Sequence, residues 1–216
     1  MTYRLLDLFC GAGGASVGYH RAGFEVTGVD HRPMPRYPYE FIQADAMTFP
    51  LDGFDAIHAS PPCQRHSKAV AIADRENHPD LVDPTRERLL AAGKPYVMEN
   101  VVKAPLVNTI RLCGSSFGLP IQRHRLFESN VWLMALPCAH GAYPRIYEPA
   151  WNRTTKLRVL SVSGGFTKRV PLQEFKDAMG VDWHMTRPEL SEAIPPAYTQ
   201  FIGEQLIAIL EAGGGT

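Results

Sequence analysis

The chain has 216 residues, 45% hydrophobic and 20% charged, enough for one compact domain with a core and a small appendage. Its longest apolar runs fall well short of a membrane span, and no basic leader precedes a long apolar stretch, so neither a membrane protein nor a secreted one is expected. The net charge of zero hides an uneven layout: residues 1–100 carry −3, residues 101–173 carry +8 and residues 174–216 carry −5, and the basic middle third suits a phosphate backbone or a solvated face.

Residues 3–9 (YRLLDLF) read as a buried strand running into the turn Cys10-Gly11-Ala12-Gly13-Gly14, followed by a helix over 15–22 that Gly23 closes. Short strands are expected at 25–29, 41–42 and 54–59, the last stopped by Pro61-Pro62. Residues 64–83 are polar and aperiodic, the pattern of a long loop. A helix over 84–92, with Pro84 near its start and Gly93 at its end, leads to strands at 95–98 and 125–133. Strand–helix alternation of this kind predicts an open, mostly parallel α/β sheet with helices on both faces. Between Pro137 and Val170 the pattern dissolves, and an amphipathic helix over 197–210 follows Pro195-Pro196. The expected division is therefore a main domain of residues 1–129 and 172–216, interrupted by a small irregular insertion at 130–171.

Two places in this layout carry chemistry. A glycine-rich turn after the first strand lets a ligand approach the backbone, and Asp30, at the end of the second strand, can accept hydrogen bonds from ribose hydroxyls. That much fits NAD almost as well as S-adenosylmethionine, because Gly11-x-Gly13-x-x-Ser16 nearly matches the dinucleotide fingerprint. The second place is the rim at the carboxyl ends of the strands. There Ala59-Ser60-Pro61-Pro62-Cys63-Gln64 ends one strand and Met98-Glu99-Asn100-Val101 ends the next. A cysteine is most often buried and inert, but a rigid Pro-Pro turn on one side and a polar loop on the other oppose that reading.

Asp7-Leu8-Phe9-Cys10-Gly11-Ala12-Gly13-Gly14, Pro62-Cys63-Gln64, Glu99-Asn100-Val101 and Arg123-His124-Arg125, in this order, resemble the motifs of DNA cytosine-5 methyltransferases, and Ala193-Ile194-Pro195-Pro196 resembles that family's last motif. The resemblance implies a Rossmann-like, S-adenosylmethionine-dependent methyltransferase fold acting on duplex DNA. It makes Cys63 the nucleophile that adds to carbon 6 of a flipped cytosine, Glu99 the group that neutralises N3, and Arg125, with Arg123, the stabiliser of O2. It assigns the cofactor to Phe9, Gly11, Ala12, Gly13, Gly14, Asp30, His31, Asp45, Ala46, Pro61 and Ala193. Gln64, Ser67 and Asn100 are expected at the nucleotide, with the loop after Gln64 closing behind it.

The sequence departs from the family in three ways. Gln122 sits one position late before Arg123, Glu192 stands where the family has Asn, and the insertion is far shorter than the usual target-recognition region. Relaxed specificity, or specificity supplied by a protein partner, is expected. Lys156, Arg158, Lys168 and Arg169 would serve mainly as phosphate contacts, and Trp151 or Tyr147 could wedge into a groove. An inactive DNA-binding relative and the same chemistry on RNA are the competing readings. The four cysteines lie in unlike settings and are expected to be reduced, in the cytoplasm of a bacterial or phage-infected cell. Cys113, His124, Cys138 and His140 could ligate zinc, but their spacing is not that of a recognised finger, and no metal is expected.

Overall fold

The computed structural model describes residues 2–66, 74, 76–140 and 171–213. Seven strands form one sheet in the order β3-β2-β1-β4-β5-β7-β6: β1 (Arg4–Leu8), β2 (Glu25–Asp30), β3 (Glu40–Gln43), β4 (Ala56–Ala59), β5 (Tyr96–Asn100), β6 (Thr109–Leu112) and β7 (Arg125–Ser129). The first five run parallel. β7 inserts antiparallel between β5 and β6, pairing Glu99 with Phe127 and Asn100 with Leu126. The expected fold class is therefore the observed one: a mostly parallel Rossmann-like sheet with helices.

Alternation along the strands sorts the core onto two faces. Leu5 and Val97 point to one side, where they meet Tyr19 and Phe24 and the apolar stripe Tyr198, Ile202 and Leu206. Leu6, Leu8, Tyr96 and Met98 point to the other side, against Val82 and Leu89. The first face is covered by α1 (Gly14–Ala22) and the long C-terminal α5 (Pro196–Gly213), the second by α2 (Val82–Ala91). The two helices of the first face touch backbone to backbone: a Cβ on Gly18 would lie 2.0 Å from Thr199 Oγ1 and 2.2 Å from the Pro196 carbonyl. Burying each large apolar side chain of these faces contributes roughly 1.5–3 kcal/mol.

A third apolar cluster lies beside the sheet. α3 (Leu172–Met179) and α4 (Arg187–Glu192) bury Phe175, Met179, Met185 and Leu190 against Ile121 and Ala12. Thr186 and Glu189 form a capping box that starts α4.

The structure corrects several expected boundaries. The strand predicted at 54–59 begins at Ala56, and the one predicted at 125–133 ends at Ser129. The α2 helix starts at Val82, inside the segment read as loop, while β6, α3 and α4 were not anticipated. Residues 130–139 contain no helix or strand, and 141–170 lie outside the described residues, with Tyr147, Trp151, Lys156, Arg158, Lys168 and Arg169 among them.

Candidate active site

Both expected sites sit at the carboxyl ends of the parallel strands. β1 ends at Leu8, and Phe9 turns the chain with φ +58°, a left-handed conformation uncommon for a bulky residue. Gly11 follows at φ +50° and donates its backbone N–H to Asp30 Oδ2 at 3.1 Å, so the glycine turn is tied to the end of β2. A Cβ on Gly11 would meet nothing within 4 Å, leaving this part of the turn open to a ligand. The following residues pack against protein on their Cα side. A Cβ on Gly13 would lie 2.9 Å from Pro38, one on Gly14 would lie 2.7 Å from the Ile194 carbonyl, and the Ala12 carbonyl accepts from Trp183 Nε1 at 3.1 Å. On the Cβ side of the turn, open space lies at Gly11, while Gly13 and Gly14 pack on protein.

Asp30 is buried. Its Oδ1 accepts from the Arg32 N–H at 2.9 Å, and His31 and Arg32 lie over it, with His31 largely exposed. Asp45 stands exposed at the end of β3, bracing its own turn through Met47 N at 2.8 Å. Ala46 is 3% exposed and packs into the second face, with its carbonyl taken by Arg88, so its side chain offers a ligand almost nothing. Ala193 packs against Gly14, bringing the last motif beside the glycine turn. Beneath the turn, Asp7 is fully buried, bonded by Ser16, and its Oδ1 lacks a partner among the described residues. Burial pushes its carboxyl up to about 7.

The second site brings four expected residues together. Glu99, the penultimate residue of β5, is 7% exposed, and Arg125 opens β7 beside it. Arg125 Nε lies 2.8 Å from Glu99 Oε1, an ion pair that is not aligned as a hydrogen bond. Burial raises the Glu99 pKa, while Arg125, Arg123 and the Ser60 hydroxyl hold it down. Cys63 is half-buried in the turn after Pro61-Pro62; burial and the Glu99 charge raise its thiol pKa, and the same two arginines oppose the rise. Cysteine, carboxylate and guanidinium groups thus share one electrostatic neighbourhood.

Two expected members play a different part. Asn100, read as a DNA contact, is 1% exposed and uses its carboxamide within the chain. Its Nδ2 donates to the Pro61 carbonyl at 3.0 Å and its Oδ1 accepts from Val101 N at 2.8 Å, fixing the cysteine turn to β5. Arg123, read as catalytic, is buried with Nη2 on the Ser191 carbonyl at 2.6 Å and the Glu192 carbonyl at 3.3 Å. Burial and the neighbouring Arg125 pull its pKa down to about 9. It clamps the arginine motif to the segment before Pro195 and is a positioning residue. Tyr198, not anticipated, completes that clamp by donating to the Arg123 carbonyl at 2.6 Å.

A buried polar chain was also missed. Tyr19 Oη is 2.9 Å from His58 Nδ1, and His58 Nε2 is 2.9 Å from Ser60 Oγ. Burial depresses His58 to about 3, so the ring is neutral and carries one N–H; it donates to one of the two hydroxyls and accepts from the other, Tyr19 and Ser60 exchanging roles with the tautomer. Histidine on a buried strand reads as ordinary core, and only the residue before Pro61 hinted at the connection.

Several buried polar atoms here have no hydrogen-bond partner among the described residues: Gln64 Oε1, Glu99 Oε1, Gln122 Nε2 and Arg123 Nε. Buried polar groups are nearly always satisfied, so these exceptions, all on motif residues, set this rim apart from the rest of the fold. Ser67 lies outside the described residues, as do residues 68–73. A separate cavity of about 280 Å³ under Trp132 is lined by Asn108 and Ser129 at the opposite end of β7, and no residue of either site lines it. Among the described residues, no helix is long and apolar enough to cross a membrane.

Next to the arginine motif, the four side chains named as possible zinc ligands, where no metal was expected, converge: Cys113, His124, Cys138 and His140.

No family model matches the chain. It is 32% identical over 125 residues to the Type II methyltransferase M1.HphI of Haemophilus parahaemolyticus, a match covering 48% of this chain and 33% of that protein. The chain thus spans about a third of the length of the curated relative it matches. Two solved structures overlay nearly all of it. The Entamoeba histolytica methyltransferase EhMeth matches at 12% identity with a TM-score of 0.61, covering 97% of this chain and 99% of that one. The S. pombe Dnmt2 methyltransferase matches at 14% identity with a TM-score of 0.58, covering 96% and 99%. The match to a Type II methyltransferase agrees with the resemblance drawn from the motifs, and the chain carries the Rossmann-like fold of these methyltransferase structures.

Proposed function

We propose that the chain methylates carbon 5 of cytosine in DNA, with S-adenosylmethionine as methyl donor and Cys63 as a transient covalent nucleophile. The observation that carries this reading is the half-buried Cys63 thiol in one electrostatic neighbourhood with Glu99 and Arg125, among buried polar atoms that lack partners. The similarity to a Type II methyltransferase supports it at the level of reaction class.

The donor fits the glycine turn: open space at Gly11 admits its backbone-bound part, and Asp30 and Asp45 stand at the adjacent strand ends for ribose and adenine. Asp30 has lone pairs beyond those used by the Gly11 and Arg32 N–H groups, but a ribose reaches them only if His31 and Arg32 swing aside. When bound, the donor supplies an electrophilic methyl on sulfur. Phe9 and Pro61 belong to the two turns that would flank that methyl.

Cytosine carbon 5 is a weak nucleophile, and the base inside a duplex is out of reach, so the nucleotide must be flipped into the rim. Passing the Cys63 proton to Glu99 leaves the net charge of the cluster unchanged and creates a thiolate beside Arg125. The thiolate forms a bond to carbon 6, and the ring π-electrons move to carbon 5 and N3. Glu99 gives its proton to N3, and Arg125 faces the charge that develops at O2. Carbon 5 takes the methyl as the donor's sulfur–methyl bond breaks, leaving a neutral thioether; a base then removes the carbon 5 proton, the carbon 6–sulfur bond breaks so that Cys63 leaves as thiolate, and the N3 proton returns to Glu99. The insertion at 130–171 is assigned to target recognition in this scheme, with Gln64 at the flipped nucleotide.

The test uses donor tritiated in its methyl group, with duplex DNA and, in parallel, structured RNA. Label entering DNA with wild type but not with Cys63→Ser is expected. Equal labelling by both proteins, or label in RNA alone, contradicts the proposal.

A further inference from the structure

We propose that Cys113, His124, Cys138 and His140 hold a structural zinc ion that fastens the root of the insertion to the arginine motif. This goes beyond the methyl-transfer reading and does not depend on it. The four residues come from three places that the fold brings together. Cys113 follows β6, His124 lies between the two arginines just before β7, and Cys138 and His140 lie beyond β7 where the insertion begins.

Their ligand atoms all lie within 4.8 Å of one another. Cys113 Sγ is 3.3 Å from His140 Nε2, and Cys138 Sγ is 3.4 Å from His124 Nε2. Tetrahedral zinc with Zn–S of about 2.3 Å and Zn–N of about 2.0–2.1 Å sets its sulfur–nitrogen edges at about 3.5 Å. The observed edges nearly match. The imidazole rings stand edge to face at 71° with centroids 5.0 Å apart, so two nitrogens reach one point without the rings stacking.

Chemistry and surroundings favour zinc. Two thiolates and two neutral imidazoles cancel a divalent charge, and a set of four protein ligands is the closed form of a structural site. Cys113 is fully buried while the other three are half-buried, which leaves the ion a way in. An outer shell is already present. The Ser115 hydroxyl donates to Cys113 Sγ at 3.2 Å and accepts from Ala139 N at 3.1 Å, bridging two segments of the site. Ser116 Oγ adds a bond to the Pro137 carbonyl at 2.8 Å. Outer-shell hydrogen bonds of this kind orient the ligands and strengthen binding.

The consequence lies in the position of His124. A metal there pins the peptide between Arg123 and Arg125 to residues 138–140, so that segment and the arginine motif are held together.

The experiment measures zinc in the full-length chain, purified without chelator or metal-affinity tag, by plasma mass spectrometry. One zinc per chain is expected. The chelated protein, titrated with Co²⁺, should then show the intense visible bands and thiolate charge transfer of tetrahedral sulfur–nitrogen coordination, saturating at one equivalent. The half-exposed Cys138→Ser should lose both signals, and Ser115→Ala should keep the site but weaken zinc by about 10–100-fold. Chelation should lower the thermal midpoint of wild type and leave that of Cys138→Ser unchanged. Background zinc together with an octahedral Co²⁺ spectrum in wild type overturns the proposal. So does full zinc retention in Cys138→Ser, or a Cys113–Cys138 disulfide found by thiol counting. Because every readout is metal content, spectrum or stability, failure here leaves the methyl-transfer reading standing, and failure of that reading leaves the metal site standing.

Discussion

Replacing Arg125 with Met keeps an apolar stem but removes the charge beside Glu99. With the closest atoms 2.8 Å apart the charge centres are separated by about 4 Å, worth about 4 kcal/mol at an effective dielectric of about 20. The net loss is smaller, because Arg123 remains and because Glu99 can take a proton instead of standing uncompensated. Protonation caps the cost: carrying the carboxyl from its ordinary 4.5 to above neutrality costs about 3 kcal/mol at pH 7 and under about 1 kcal/mol at pH 5. Part of that shift already exists in the wild type, so about 1–3 kcal/mol is expected at pH 7. For a chain of this size that is a drop of about 3–9 °C in thermal midpoint. The sign follows from linkage: a carboxyl whose folded pKa is raised favours the folded state most below its unfolded pKa, and this is lost as pH rises through the folded value. The deficit of Arg125→Met against wild type should therefore be large at pH 7–8 and nearly vanish at pH 5. Adding Glu99→Gln should restore most of it at pH 7. Circular-dichroism melts of the three proteins at both pH values make the comparison. A deficit independent of pH, or a double variant no more stable than the single one, refutes the charge-pair reasoning.

Glu99→Gln alone removes the negative charge that helps raise the Cys63 thiol, so the pH midpoint of Cys63 alkylation by iodoacetamide should fall while methyl transfer drops by about 10²–10⁴-fold; an unchanged midpoint contradicts the coupling. Asn100→Ala strands the Pro61 carbonyl and the Val101 N–H, costing about 1–3 kcal/mol in urea unfolding and lowering kcat through a loosened cysteine turn. Asn100→Asp should do no better, since it sets a carboxylate oxygen against the Pro61 carbonyl. Gly18→Ala gains up to about 1 kcal/mol of helix propensity, but its methyl would meet the backbone oxygen of Pro196 and overpacking of about 1–3 kcal/mol wins. A urea midpoint equal to or above wild type would show that α1 and α5 can separate at no cost.

What the sequence made legible was local. The run from Leu5 to Gly14 announces a strand, a turn with unusual backbone angles and a helix, because each step is dictated by neighbours in the chain. The placement of Cys63 and Glu99 on one rim followed from two strand ends and the rule that parallel strands are adjacent. The rest depended on distant partners. β6 is a four-residue edge strand with only Leu112 fully buried, too short for its alternation to register. The α3 helix did carry a signal, with Leu172, Phe175 and Met179 on one face and Gly180 as its stop, but it was hidden next to a stretch without pattern. Asn100 and Arg123 had the right residue type for a substrate contact, and only burial showed that the carbonyls of Pro61 and Ser191 had claimed them. The four possible metal ligands were visible in the sequence but were set aside on spacing, because members 11, 14 and 2 positions apart match no local finger and meet only when β7 inserts antiparallel.

The central claim is that Cys63 sulfur bonds to the ring before the methyl arrives, and trapping tests it most directly. Duplex DNA carrying 5-fluorocytosine, in which fluorine replaces the proton that must leave carbon 5, is incubated with the full chain and S-adenosylmethionine, then digested and sequenced by mass spectrometry. A stable DNA–protein adduct on the peptide containing Cys63, absent without the methyl donor and absent in Cys63→Ser, is the predicted result. Methylation of ordinary DNA by a protein that forms no adduct, or an adduct on another residue, would contradict the account.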